Sequence, residues 1–121
     1  MDVKVVNMAE KAGLITELHS YKCIAQMNEV QFKLVKAHRE FIWHKHPDTD
    51  EAFMGIQGGF QIHLEETVLD IGPGDLVVIP RNVVHKPVFK TECTLMLIEP
   101  AGTVNTGDAG GDLTDTTVES I

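Results

Sequence analysis

Apolar residues recur along this chain with two different periods. Near the N-terminus Asn7 stands three residues before Glu10, and Gly13 follows shortly after. A side chain able to accept from the first helical amides, with a glycine to end the run, predicts a short capped helical turn over 8–12. From Tyr21 onward the helical period is gone. Apolar and β-branched residues come in short runs separated by Asn28-Glu29, Gly58-Gly59, Glu65-Glu66 and Gly72-Pro73-Gly74-Asp75, the residue types that reverse strands. The runs predict strands at 21–27, 30–38, 40–46, 51–57, 60–64, 67–71, 76–79, 84–89 and 93–99. Many short strands with one short helix describe an all-β domain, a sandwich or a barrel that protects its sheet edges.

After Pro100 the pattern changes. Gly, Thr and Asp dominate 101–117 and no apolar face recurs. The chain therefore divides into an N-terminal extension with the short helix (1–19), a barrel (20–100) and a polar C-terminal tail (101–121), flexible or draped over the barrel. The tail's acidic residues at 108, 112, 115 and 119 read as solvated charges.

Composition adds exclusions. With 121 residues, 43% of them hydrophobic, the chain holds one core and is too apolar for wholesale disorder. Ten Lys and Arg against eighteen Asp and Glu give a net charge of -8, which repels a phosphate backbone and argues against nucleic acid as a partner. The aliphatic runs 76–79 and 95–98 fall far short of the roughly 20 residues that span a bilayer. The first thirteen residues lack the charged start, apolar block and cleavage site of a secretory signal, so a cytoplasmic location is expected. Cys23 and Cys93 are isolated in apolar, strand-like surroundings and read as reduced core thiols.

The candidate chemistry lies in four residues. His44 and His46 flank Lys45, and alternation along a strand sends both imidazoles to the same face. Pro47 ends that strand, Asp48-Thr49-Asp50 makes a turn, and Glu51 opens the next strand beside the imidazoles. Asp50 competes for the carboxylate role, but Glu51 has the longer arm and starts from an ordered strand. Further on, Pro80 ends 76–79 and Arg81-Asn82 reverses the chain so that His85 returns on a neighbouring strand. Three imidazoles and one carboxylate suit one divalent transition metal ion: iron, manganese, nickel, cobalt, zinc or copper. His19, His38 and His63 stand alone and read as hydrogen-bonded or surface groups. Trp43, on the opposite face from the pair, reads as core or interface.

The segment HKHPDTDEAFMGIQGG, from His44 to Gly59, resembles the first signature of the cupin superfamily, with Glu51 and Gly58 at the matching spacing. GDLVVIPRNVVH, from Gly74 to His85, resembles the second, with Gly74, Pro80, Asn82 and His85 in its places. Two ordered signatures are more specific than either alone. His38 stands where the first usually begins with Gly, and Asn82 where Gly is common in the second. The resemblance covers roughly 20–100. It implies a double-stranded β-helix, or jelly-roll, cupin barrel with His44, His46, Glu51 and His85 as metal ligands. With the EPAGTVNTG stretch at 99–107, the chain is similar to small single-domain cupins described as mannose-6-phosphate isomerase-like.

The resemblance does not select a reaction. The expectations are a metal-dependent enzyme, isomerase-like or dioxygenase-like, acting on a small polar or carboxylated metabolite; a module that binds or senses a small ligand; or a structural metal site. Phe53, Met54, Phe60, Phe89 and Met96 are candidate pocket walls. A homodimer is expected from the fold, with the strand at 21–27 as a candidate donor edge.

Overall fold

Asn7 caps the first element as its spacing predicts. Its side chain accepts from the Glu10 amide at 2.9 Å, and helix α1 runs Met8–Gly13. The computed structural model describes residues 3–115 and 117–121. Among these, nine strands follow the helix: β1 Lys22–Met27, β2 Val30–Ala37, β3 Glu51–Gln57, β4 Phe60–His63, β5 Val68–Ile71, β6 Leu76–Ile79, β7 Lys86–Val88, β8 Cys93–Pro100 and β9 Glu119–Ser120. They form a six-stranded sheet in the order β6-β3-β8-β2-β1-β9 and a three-stranded sheet in the order β5-β4-β7. The architecture is the expected jelly-roll barrel.

Period-two alternation decides what faces inward. On β3 the buried positions are Glu51, Phe53 and Gly55. Phe53 joins Val35, Ala37, Phe60, Ile62, Phe89, Leu95 and Leu97 in the barrel interior. Burying each large apolar side chain contributes about 1.5–3 kcal/mol. The opposite parity builds a second cluster, in which Ile24, Leu34 and Met96 pack with Met8 and Ile15 of the N-terminal segment. Of the candidate pocket walls, Phe53, Phe60 and Phe89 therefore point inward, whereas Met54 and Met96 belong to this outer cluster. They are one residue out of phase with the interior.

The predicted strand at 40–46 is not a regular strand. It meets the β7 region through two isolated bridges, Glu40 with Val88 and His44 with His85, between which the register slips by one residue. Pro87, which has no amide hydrogen, lies in the gap. Phe41 N–H still donates to Pro87 O at 2.9 Å and Phe89 N–H to Arg39 O at 2.7 Å, so the segment stays extended beside the small sheet.

The tail is draped over the barrel. Asn105 and Thr106 are buried, and β9 pairs in parallel with β1, Lys22 with Glu119 and Cys23 with Ser120. That pairing corrects the picture of β1 as a free edge along its whole length. The tail acids at 108, 112 and 119 are exposed, as read, yet three acids also tie the tail down: Asp108 accepts from Lys45 N–H at 2.9 Å, Asp115 accepts from Tyr21 N–H at 3.2 Å, and Glu119 lies 3.4 Å from Lys22 Nζ.

Candidate metal centre

Two backbone hydrogen bonds bring the chain-distant histidines together. His44 N–H donates to His85 O at 3.0 Å and His85 N–H donates to His44 O at 2.9 Å, so the rings stand side by side with centroids 4.4 Å apart. His46 follows two residues on and faces the same way, its ring 5.1 Å from that of His44. Asn82 N–H donates to His46 O at 3.0 Å. Asn82 takes φ 67, a left-handed conformation that Asn adopts more easily than most residues, so its place in the second signature is filled without glycine. Glu51 then enters at the first position of β3, paired with Ile79.

Asp50 is diverted. Its carboxylate accepts from Arg81 N–H at 2.9 Å and lies 3.7 Å from Arg81 Nε, which leaves Glu51 as the inward carboxylate. The ligand-capable atoms of His44, His46, Glu51 and His85 all lie within 4.8 Å of one another, and all four residues are buried. His19, His38 and His63 stand outside this group. Trp43 is 45% exposed, and the Lys86 ammonium sits over its ring at 5.3 Å.

Local hydrogen bonds orient the rings for coordination. His44 Nδ1 lies 2.9 Å from Ile42 O, and His85 Nδ1 lies 2.9 Å from Val83 O. A carbonyl only accepts, so each Nδ1 carries a proton and each neutral ring presents the lone pair of Nε2 to the cluster. Glu51 Oε1 lies 3.4 Å from His85 Nε2 and 3.3 Å from His46 Nε2. All three atoms are buried without a hydrogen-bond partner. For His85 and Glu51 two acceptors face each other away from water, an arrangement that a cation between them relieves. The donor set and the orphaned atoms thus fit a divalent transition metal.

Electrostatics favour the deprotonated ligands. Burial pushes His44 down to about 4, against the opposing pull of the Ile42 carbonyl. Burial alone would raise the Glu51 carboxyl, but its surroundings, the His46 ring first among them, hold it below the usual carboxylate range. Burial and the neighbouring Glu51 raise Glu99 well above that range, so of the two carboxyls Glu99 takes up a proton more readily. Glu99 is in turn 3.1 Å from the buried Lys33 Nζ.

Behind the cluster, the barrel interior holds a cavity of about 20 Å³ bordered by His44, Glu51, Phe53, Tyr21, Arg39 and Asn105 among others. That is room for about one water molecule. On the other side, an open groove of about 400 Å³ lies between the Pro47–Thr49 turn and the 100–108 segment, with His46 in its wall.

The motifs did not reveal Lys33, Glu99, Tyr21, Arg39 or Asn105. A signal for two of them was present: Lys33 shares the inward parity of Val35, and Glu99 that of Leu95 and Leu97, so each is a charge at a core position.

Comparison with known proteins agrees with this geometry. Residues 31–99 match the Cupin domain family. The chain is 31% identical to the Bacillus subtilis (strain 168) protein YdbB over 85 residues, 69% of this chain and 74% of that one. Among solved structures, a cupin-2 domain protein of Shewanella frigidimarina superposes with a TM-score of 0.77 at 45% identity, covering 79% of this chain and 94% of the other. A Neisseria meningitidis protein gives 0.73 at 26% identity, covering 81% and 100%. With both signatures folded onto one buried cluster and the family matched across the barrel, the chain belongs to the cupin family of β-barrel proteins.

Proposed function

We propose that this cupin holds one divalent transition metal ion through His44, His46, Glu51 and His85 and is a metal-dependent enzyme acting on a small polar metabolite. The observation that carries this reading is the buried contact between His85 Nε2 and Glu51 Oε1, two atoms with no hydrogen-bond partner. Bound there, the ion supplies Lewis-acid or redox chemistry to a ligand oxygen. The protein's own contribution is to fix the tautomers of His44 and His85 through Ile42 O and Val83 O, to keep Glu51 ionised, and to exclude water with Phe53 and its neighbours.

The decisive experiment is elemental analysis of protein purified without a metal-affinity step, followed by the Glu51→Ala and His85→Ala variants. One equivalent of a transition metal, lost in both variants, supports the reading; a metal-free protein that binds none of the six candidate ions overturns it. Metabolite depletion in excess of protein then distinguishes an enzyme from a binding module.

The tightness of the interior, about 20 Å³ beside the cluster, favours a second reading in which the metal is a structural staple. That reading expects metal removal to unfold the chain. For assembly, a pair of copies covering the outer face of the large sheet, where Met27, Leu76 and Val78 are exposed, is our expectation. Sedimentation at twice 13.4 kDa tests it. Among the described residues no helix is long and apolar enough to cross a membrane; a cytoplasmic setting is our expectation.

A further inference from the structure

We propose that Arg39, Tyr21 and His19 form a carboxylate-binding pocket on the cavity they share with His44 and Glu51, so that the ligand of this protein is a small carboxylate. The proposal deepens the metal-dependent reading and rests on it only for what the ligand's other end meets.

Arg39 lies two residues beyond β2 and continues the inward parity of Val35 and Ala37. Its guanidinium sits over the Phe41 ring, 5.1 Å from the centroid, and its Nε is buried without a hydrogen-bond partner. Lys22, Lys33, Arg81 and Lys86 each have a carboxylate nearby; among the described residues Arg39 has none. A half-buried guanidinium with no counter-ion, in a chain of net charge -8, is a costly feature unless something anionic comes to it.

The neighbouring groups are donors as well. His19 Nε2 accepts from His38 N–H at 3.0 Å, so in the neutral ring the proton sits on Nδ1 and is available to donate. Burial keeps the Tyr21 phenol protonated, and Tyr21 borders the cavity together with Asn105. All three line the same cavity as His44 and Glu51. The lining therefore offers N–H and O–H donors with a positive charge, and apart from Asn105 the rest is apolar or belongs to the proposed metal ligands. A small carboxylate meets both demands: its charged end pairs with Arg39, and an oxygen on its short body can reach the metal centre. The cavity has room for about one water molecule, so even a ligand of a few heavy atoms requires adjustment of the half-buried Arg39 or of Asn105 on entry.

The test exploits the chain's two arginines, Arg39 and Arg81. The Nε–Hε NMR signals of nitrogen-15-labelled protein are followed, with and without zinc, while formate, acetate and lactate, and then formamide, acetamide and lactamide, are added. Expected is a saturable shift of the Arg39 signal with at least one carboxylate, no shift with its amide, and a stationary Arg81 signal as the internal control. Arg39→Gln should weaken that carboxylate by about tenfold or more, the scale of one charge-assisted contact, with zinc content and circular dichroism unchanged. No shift with any of the three carboxylates, equal shifts with acids and amides, or undiminished affinity in Arg39→Gln overturns the proposal. Failure to bind zinc overturns the metal reading instead, and the metal-free titration still decides the role of Arg39.

Discussion

Lys33 Nζ and Glu99 Oε2 stand 3.1 Å apart inside the barrel, each side chain 2% exposed. The other Glu99 oxygen is buried without a hydrogen-bond partner, and the neighbouring Glu51 carboxyl helps to raise Glu99 above the usual carboxylate range. The ion pair therefore backs the carboxylate that faces the three histidines. Removing one member of such a pair costs about 3–5 kcal/mol, whereas replacing both by apolar residues is often neutral or stabilising. Glu99→Leu should lower the urea midpoint strongly, and Lys33→Met/Glu99→Leu should restore most of it. Metal affinity should separate the two roles. If Glu99 positions Glu51, the stable double variant still binds zinc about 10–100-fold more weakly, and Glu99→Gln, which keeps a donor toward Glu51, recovers part of the loss. Wild-type affinity in the double variant would make the pair purely structural.

Much of this arrangement is legible in the sequence, for identifiable reasons. The β3 run E-A-F-M-G-I-Q alternates cleanly, so its observed bounds match those predicted, and Glu51 faces inward as expected. The four clustered residues follow from parity, turn chemistry at Pro47 and Asn82, and family spacing. The apolar pattern of 40–46 predicts a full strand because it does not reveal that Pro87 and a register slip face it. The path of the tail is not legible in the sequence for a different reason. Its attachment depends on individual contacts, such as Asn105 Nδ2 donating to Leu113 O at 2.9 Å and Asn105 Oδ1 accepting from Asp115 N–H at 2.8 Å, and polar composition carries no period that would announce them.

The tail's closest approach gives a second prediction. A Cβ added at Gly107 would lie 2.2 Å from Lys45 O and 3.1 Å from His44 Cδ2, and the residue has φ 55. Both the clash and the left-handed backbone oppose any side chain. Gly107→Ala should lift the 105–108 segment from the barrel at a cost of about 1–3 kcal/mol. Amide exchange should accelerate at Asp108, whose N–H donates to Lys45 O at 3.1 Å, while Leu95 and Leu97 in β8 stay protected. Unchanged exchange at Asp108 would mean that the contact yields without releasing the segment.

The two thiols provide a simpler check. Cys23 and Cys93 are both buried and free, and burial pushes the Cys93 thiol up to about 11. At pH 8 Cys93 is therefore protonated and inaccessible, whereas alkylation requires an exposed thiolate. Mass spectrometry should find Cys93 unmodified in the native protein after brief iodoacetamide treatment, and both cysteines modified in urea without prior reduction. A requirement for reduction would contradict the free-thiol state.

The last prediction concerns acid and the tail. Asp108 Oδ1 accepts from Lys45 N–H at 2.9 Å, and this bond is the main reason its carboxyl lies below the ordinary Asp value, with Lys45 and His44 as the nearby positive or titratable groups. A carboxyl with a depressed folded-state value binds its proton more readily once the tail is released. The link is therefore fully present above the unfolded value, about 3.9, and is lost as pH falls through the lower folded value. Exchange of the 105–108 amides, corrected for intrinsic chemistry, should be flat from pH 7 to 5 and accelerate toward pH 3. Asp108→Asn retains an acceptor oxygen but carries no charge, so it should exchange faster than wild type above pH 5 and converge with it as pH falls through the lowered folded value of Asp108. A constant ratio between variant and wild type across that range would show that the Asp108 charge does not hold the tail to Lys45.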